Sequence, residues 1–117
     1  MIKVNGEELK VEHYPDGTQR LNVEPRFLNC IEWRYENEEE LSTLIYITKH
    51  LKNSNCKKIN LYMQYIPNSR MDRTKSREEV FTLKYFVDVI NWLGFNSVTV
   101  LDAHSDVSKC LINKCDF

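Results

Sequence analysis

Residues 28–66, LNCIEWRYENEEELSTLIYITKHLKNSNCKKINLYMQYI, decide the fold. Leu28–Arg34 reads as a strand. Asn37 then offers a helix N-cap with Glu40 at the capping-box position, so that each can satisfy a backbone N–H of the other. Leu41, Leu44, Ile45, Thr48 and Leu51 follow at helical spacing, which predicts an amphipathic helix over Glu38–Lys52. Lys58–Ile66 is again β-rich and is closed by Pro67. The stretch is therefore strand, helix, strand.

The pattern continues beyond it. Ser76 is placed to cap a second helix, with Glu78 and Glu79 in its first turn. Val80, Leu83, Val87, Ile90 and Leu93 supply its buried stripe, and Gly94 its C-terminal stop. Ser97–Leu101 is a short apolar strand, with a third helix expected to start after it. Upstream, residues 1–27 alternate strand-like runs (Ile2–Val4, Leu9–His13, Thr18–Val23) with the turn signals Asn5-Gly6 and Asp16-Gly17. The expected fold is α/β: an open, mainly parallel βαβαβ sheet with helices on both faces, preceded by a β-rich segment.

Composition narrows the class. With 117 residues the chain suits one domain, and 42% hydrophobic residues can build a core. Lysine and arginine total 16 against 17 acids, a balance that argues against a general nucleic-acid coat. No apolar run approaches the ~20 residues of a membrane span. The first residues lack the apolar stretch and cleavage site of a secretory signal, so a cytoplasmic protein is expected. Cys30, Cys56, Cys110 and Cys115 form no Cys-x-x-Cys pair and are expected to be reduced thiols. His13, His50, Trp33 and Trp92 invite no chemical role; His50 suits a helix C-terminal end, and the two tryptophans suit packing.

In a parallel βαβαβ arrangement, residues 35–37, 67–77 and 102–106 all follow the carboxyl ends of strands. In open α/β sheets that edge binds ligands. Residues 67–77 hold Arg70, Arg73, Lys75 and Arg77 against Asp72, a local charge of 4 − 1 = +3, and run into a helix N-terminus. Guanidinium groups bind phosphate oxygens in fork geometry, so a polyphosphate fits, although a solvated loop has the same composition. Asp102-Ala103-His104-Ser105-Asp106 offers two carboxylates and an imidazole, enough to help hold a hard cation with phosphate and water; a structural histidine is the plainer alternative. Taken together on one edge, the two loops suggest metal–nucleotide chemistry.

These residues carry a family resemblance. Pro67-Asn68-Ser69-Arg70-Met71-Asp72-Arg73, Lys75-Ser76-Arg77 and Val100-Leu101-Asp102-Ala103-His104-Ser105 resemble the amino-terminal half of ribose-phosphate pyrophosphokinase. That family shows Pro-x-x-Arg-Gln-Asp-Arg/Lys, Lys-Ser-Arg and Asp-Leu-His-Ala at nearly this spacing. Tyr14-Pro15-Asp16-Gly17 is similar to its Phe-x-Asp/Asn-Gly segment. The resemblance covers most of residues 12–117.

It implies a phosphoribosyltransferase-like fold and transfer of the β,γ-diphosphoryl group of ATP to ribose 5-phosphate. It further implies ATP contacts from Arg70, Met71, Asp72 and Arg73, and coordination of the Mg²⁺ that accompanies ATP by His104. Tyr14 and Asp16 would reach the adenine of a neighbouring subunit's site, which implies a homo-oligomer. Met71 stands where the family has glutamine, Glu79 replaces a proline, and Val107 replaces a glutamine. The family's second domain, with its ribose 5-phosphate loop and mobile catalytic loop, has no counterpart here. The expectation is one domain over 1–117, acting as the ATP-binding half of the enzyme. A non-catalytic regulatory relative and a generic nucleotide-binding module are the alternatives.

Overall fold

The computed structural model describes residues 1–68, 74–102 and 115–116. Its centre is the stretch that decides the fold. Strand β5 (Leu28–Trp33) pairs in parallel with β6 (Lys58–Tyr65), and β6 in parallel with β7 (Ser97–Asp102). Helix α1 (Glu39–Asn53) joins the first two strands and α2 (Thr82–Leu93) the next two. At one side β1 (Ile2–Val4) runs antiparallel to β5 and carries β2 (Glu7–Glu8); at the other, β8 (Cys115–Asp116) is parallel to β7. The order is β2-β1-β5-β6-β7-β8, and β3 (Glu12–His13) with β4 (Gln19–Arg20) forms a separate hairpin.

Alternation explains which face is covered. Register places Ile31 opposite Leu61 and Leu61 opposite Val98, and all three are buried. Trp33, Ile59, Met63, Val100, Ile2 and Val4 share that face. Leu44, Ile47 and Leu51 of α1 and Leu83, Phe86, Val87, Ile90 and Leu93 of α2 complete the core. The helices touch each other: Lys49 Nζ lies 3.9 Å above the Trp92 ring, and Lys52 Nζ donates to the Gly94 carbonyl at 2.8 Å. Both described helices therefore lie on one face, not on both as the sequence suggested. Right-handed crossovers between strands that step in one direction put successive helices on the same side. Leu28, Tyr62 and Leu101 remain exposed on the opposite face.

The α1 N-terminus follows its sequence signal. Glu40 N donates to Asn37 Oδ1 at 3.2 Å, and Asn37 N returns a bond to Glu40 Oε1 at 3.3 Å. The Glu40 carboxylate also accepts from Glu36 N at 2.6 Å, from Trp33 Nε1 at 3.4 Å and from the amino group of Met1. One side chain thus ties β1, β5, the loop after β5 and the first turn of α1. The buried stripe of that helix is Thr43, Leu44, Ile47, Thr48 and Leu51, so Thr43 and Ile47 join it while Leu41 and Ile45 lie at its margin.

The second helix differs. It begins at Thr82, so Ser76 does not cap it, Glu78 and Glu79 precede it, and Val80 is exposed. A helical turn over 76–79 would have no apolar residue to bury, and short helical segments are stable only through such packing. Instead Glu79 Oε2 accepts from Lys75 N at 3.0 Å. The C-terminal end conforms to expectation: Gly94 adopts φ 67° and ψ 47°, a left-handed cap suited to glycine. Strand β7 extends one residue further than expected, to Asp102. The expected third helix start lies outside the described residues. Among the described residues no helix is long and apolar enough to cross a membrane.

Burial pushes the Glu40 carboxyl up, but its bonds to the Met1 amino group, Glu36 N, Trp33 and Asn37 outweigh burial and hold it below the ordinary 4.5. A depressed folded-state value means the stabilisation is complete above the unfolded value and is lost as pH falls through the folded one. Glu40→Gln should therefore cost about 1–3 kcal/mol at neutral pH. In urea titrations the gap between parent and variant should close as pH drops below 4.5; a gap that stays constant with pH contradicts this role.

Candidate functional site: the carboxyl edge of the sheet

The carboxyl ends of β5, β6 and β7 come side by side, with Tyr65 paired opposite Asp102 at the last rung. The loop after β5 leads to the N-terminus of α1, and the segment after β6 leads to the N-terminus of α2. Both helices thus point their positive dipole ends toward this edge. Lys75 and Arg77 are exposed in the segment before α2, while Glu36, Glu38, Glu39 and Glu40 gather at the α1 end and offset its dipole.

An aromatic floor supports it. Tyr35 and Tyr65 meet edge to face at 6.4 Å, and the Tyr65 hydroxyl donates to the Tyr35 carbonyl at 3.4 Å. Trp33 packs between Tyr35 at 5.8 Å and Phe86 of α2 at 5.9 Å. Burial, reinforced by the neighbouring Glu38, holds the Tyr35 hydroxyl above its ordinary value, so it stays protonated as a neutral group. Ile66 and Pro67, which continue β6, are buried, and Asn68 turns the chain with φ 66°. Neither tyrosine was singled out in the sequence, where a tyrosine just past a strand carries no distinguishing signal.

Of the expected site residues, Tyr14 and Asp16 are described. They occupy the turn of the β3–β4 hairpin, where Tyr14 N donates to the Thr18 carbonyl at 2.8 Å and Gly17 N to the Tyr14 carbonyl at 2.9 Å. The Tyr14 ring is half exposed. Asp16 Oδ1 accepts from Thr18 Oγ1 at 2.6 Å and from Thr18 N at 3.0 Å, an Asx-type turn. Those bonds, the Thr18 hydroxyl first, hold its carboxyl below the ordinary value. Arg70, Met71, Asp72, Arg73 and His104 lie outside the described residues. Among the described residues no group of three or more His, Cys, Asp or Glu side chains could hold a metal ion.

The remaining singled-out residues are structural. His50 Nε2 lies 2.8 Å from the Val23 carbonyl, and Trp33 is buried. Trp92 is exposed beneath Lys49. Cys30 and Cys56 are free thiols.

Fold and edge together define an α/β protein whose parallel strands present two helix N-termini and their loops at one edge. No family model matches the chain. It is 27% identical over 109 residues to a ribose-phosphate pyrophosphokinase of Oceanobacillus iheyensis, covering 89% of this chain and 34% of that one. It is 27% identical over 103 residues to a putative ribose-phosphate pyrophosphokinase 2 of Listeria innocua, covering 84% and 33%. In fold it resembles phosphoribosylpyrophosphate synthetase from Mycobacterium smegmatis, with a TM-score of 0.77 at 13% identity, covering 92% of this chain and 38% of that one. In sequence and in fold the chain is thus similar, at a divergent level, to ribose-phosphate pyrophosphokinases. It spans about a third of the length of the curated relatives it matches.

If Thr18 sets the Asp16 carboxyl, Thr18→Val should raise its titration midpoint relative to the parent by removing the hydroxyl donor while keeping the backbone bond. Carboxyl carbon shifts followed by NMR against pH measure this; an unchanged midpoint contradicts the assignment.

Proposed function

We propose that this chain is the ATP-binding part of a ribose-phosphate pyrophosphokinase, which transfers diphosphate from ATP to ribose 5-phosphate to make phosphoribosyl pyrophosphate. The similarity to pyrophosphokinases over 84–92% of the chain carries this reading. The placement of the cationic segment after β6, between Asn68 and α2, supports it.

In this reading Arg70 and Arg73 grip the phosphates, with Lys75 and Arg77 adding long-range attraction. Asp72 and Met71 line the same site, Met71 contributing contact area but no amide hydrogen bond. Tyr14 offers a flat face to the adenine, and Asp16 shapes the turn that carries it. Transfer of a diphosphoryl group needs charge neutralisation and alignment more than covalent help, and in this reading the four cations of residues 67–77 supply the neutralisation. Ribose 5-phosphate contacts are assigned to the part of the relatives that this chain does not match. A homo-oligomer would let one copy's turn serve another's site.

Mg²⁺ is proposed to accompany ATP. The donor set fits in kind: carboxylates at 102 and 106 and the imidazole of His104 follow the carboxyl end of β7, the edge where phosphates would lie. When bound, the ion would neutralise phosphate charge; His104 would have to be unprotonated to offer its lone pair.

Calorimetric titration with ATP tests the assignment. Arg70→Ala should weaken ATP by about 1.5–3 kcal/mol, the range for losing a charge-assisted bond. His104→Ala should abolish most of the gain in ATP affinity that Mg²⁺ brings, with little change in thermal stability. Equal affinities for Arg70→Ala and the parent, or an undiminished Mg²⁺ response in His104→Ala, contradict these roles.

A further inference from the structure

The β3–β4 hairpin is not part of the main sheet, yet it is attached to the molecule at two neighbouring points. His13 and Gln19 are cross-strand partners within it. His13 Nε2 lies 2.5 Å from Glu39 Oε1, and Thr43 Oγ1 donates to Gln19 Oε1 at 2.7 Å. Gln19 Nε2 reaches the Glu39 carbonyl at 3.4 Å. Glu39 and Thr43 are one turn apart on α1, so one rung of the hairpin meets one turn of the helix. Thr43 is 1% exposed, and its hydroxyl has as its second partner the Glu39 carbonyl at 3.3 Å, a longer contact than that to Gln19. The His13–Glu39 contact is solvent-exposed and weaker by nature.

The direction of the chain shows what this attachment does. Gln19 sits at the first turn of α1, and Val23 at His50 near its last turn. Residues 19–23 therefore run along the helix from its N-terminal to its C-terminal end. The preceding turn, 14–17, must extend past the α1 N-terminus, and that end of the helix lies at the carboxyl edge of the sheet. We infer that Gln19 and Thr43 are positioning residues: their partly buried bond, seconded by His13 and Glu39, fixes the Tyr14–Gly17 turn as a rigid arm projecting past the α1 N-terminus. Neither residue need touch a ligand. What the arm touches rests on the nucleotide reading; that it is clamped does not.

The test uses the whole chain labelled with ¹⁵N. In Gln19→Leu and Thr43→Val the heteronuclear NOE of amides 14–18 should fall, while the amides of α1 keep their values. Thr43→Ser, which retains the hydroxyl, should behave as the parent. Unchanged relaxation of 14–18 in both disrupting variants overturns the clamp, as does an equal loss in Thr43→Ser. ATP titration of the same proteins supplies the second arm. A several-fold loss of affinity that follows the loss of order supports the positioning role, and a loosened arm with unchanged affinity overturns it. If the parent itself binds no ATP, the nucleotide reading and the positioning role both fail, and the relaxation data still decide whether the arm is clamped.

Discussion

Parallel pairing of β5, β6 and β7 is the constraint on which the rest of the molecule depends. Each strand buries alternate residues, and a slip of one residue would turn Ile31, Leu61 or Val98 out to solvent. With register fixed in this way, parallel direction follows from the intervening helices, and the three carboxyl ends must meet at one edge. The functional reading depends on that convergence. Tyr65 and Asp102, far apart in the chain, are brought to adjacent strand ends by backbone pairing alone.

A few polar side chains then shape the edge. Glu40 collects bonds from the Met1 amino group, Trp33, Glu36 and Asn37, which fixes the loop after β5 against the helix that follows. At the opposite end of β5, buried Asn29 accepts from Asn5 Nδ2 at 3.1 Å and donates to the Arg26 carbonyl at 2.7 Å, joining the amino-terminal strands to β5. Gln19 and Thr43 carry the hairpin on α1. Each of these groups satisfies backbone or amide partners that would otherwise lose water without compensation. The edge is therefore held by satisfied hydrogen bonds around an apolar centre.

Much of this was legible in the sequence because its signals are local. The Asn37–Glu40 box, the Gly94 cap and the Asn5-Gly6 and Asp16-Gly17 turns each act within a few residues, and each appears where its pattern placed it. The start of α2 was misread for the same reason: Ser76 followed by two acids looks like a cap, but only packing decides whether a helix forms, and 76–79 has nothing to bury. The side on which the helices lie could not be read locally, since it depends on strand order. The hairpin clamp was equally hidden, because Gln19 and Thr43 are 24 residues apart and neither belongs to a motif. Of the candidate site, the turn bearing Tyr14 and Asp16 was legible, whereas Arg70, Met71, Asp72, Arg73 and His104 rest on sequence pattern and family resemblance.

The central claim is that this chain takes a nucleotide at the carboxyl edge of its parallel strands. Backbone amide shifts recorded while ATP and Mg²⁺ are added to the ¹⁵N-labelled chain test it most directly. The account predicts that perturbed amides concentrate in 34–38, 66–80 and 102–106, with the turn at 14–17 if the arm reaches the same site. Perturbations confined to the opposite edge, around Phe27, Lys57 and Asn96, or to the exposed face bearing Leu28 and Tyr62, would contradict it.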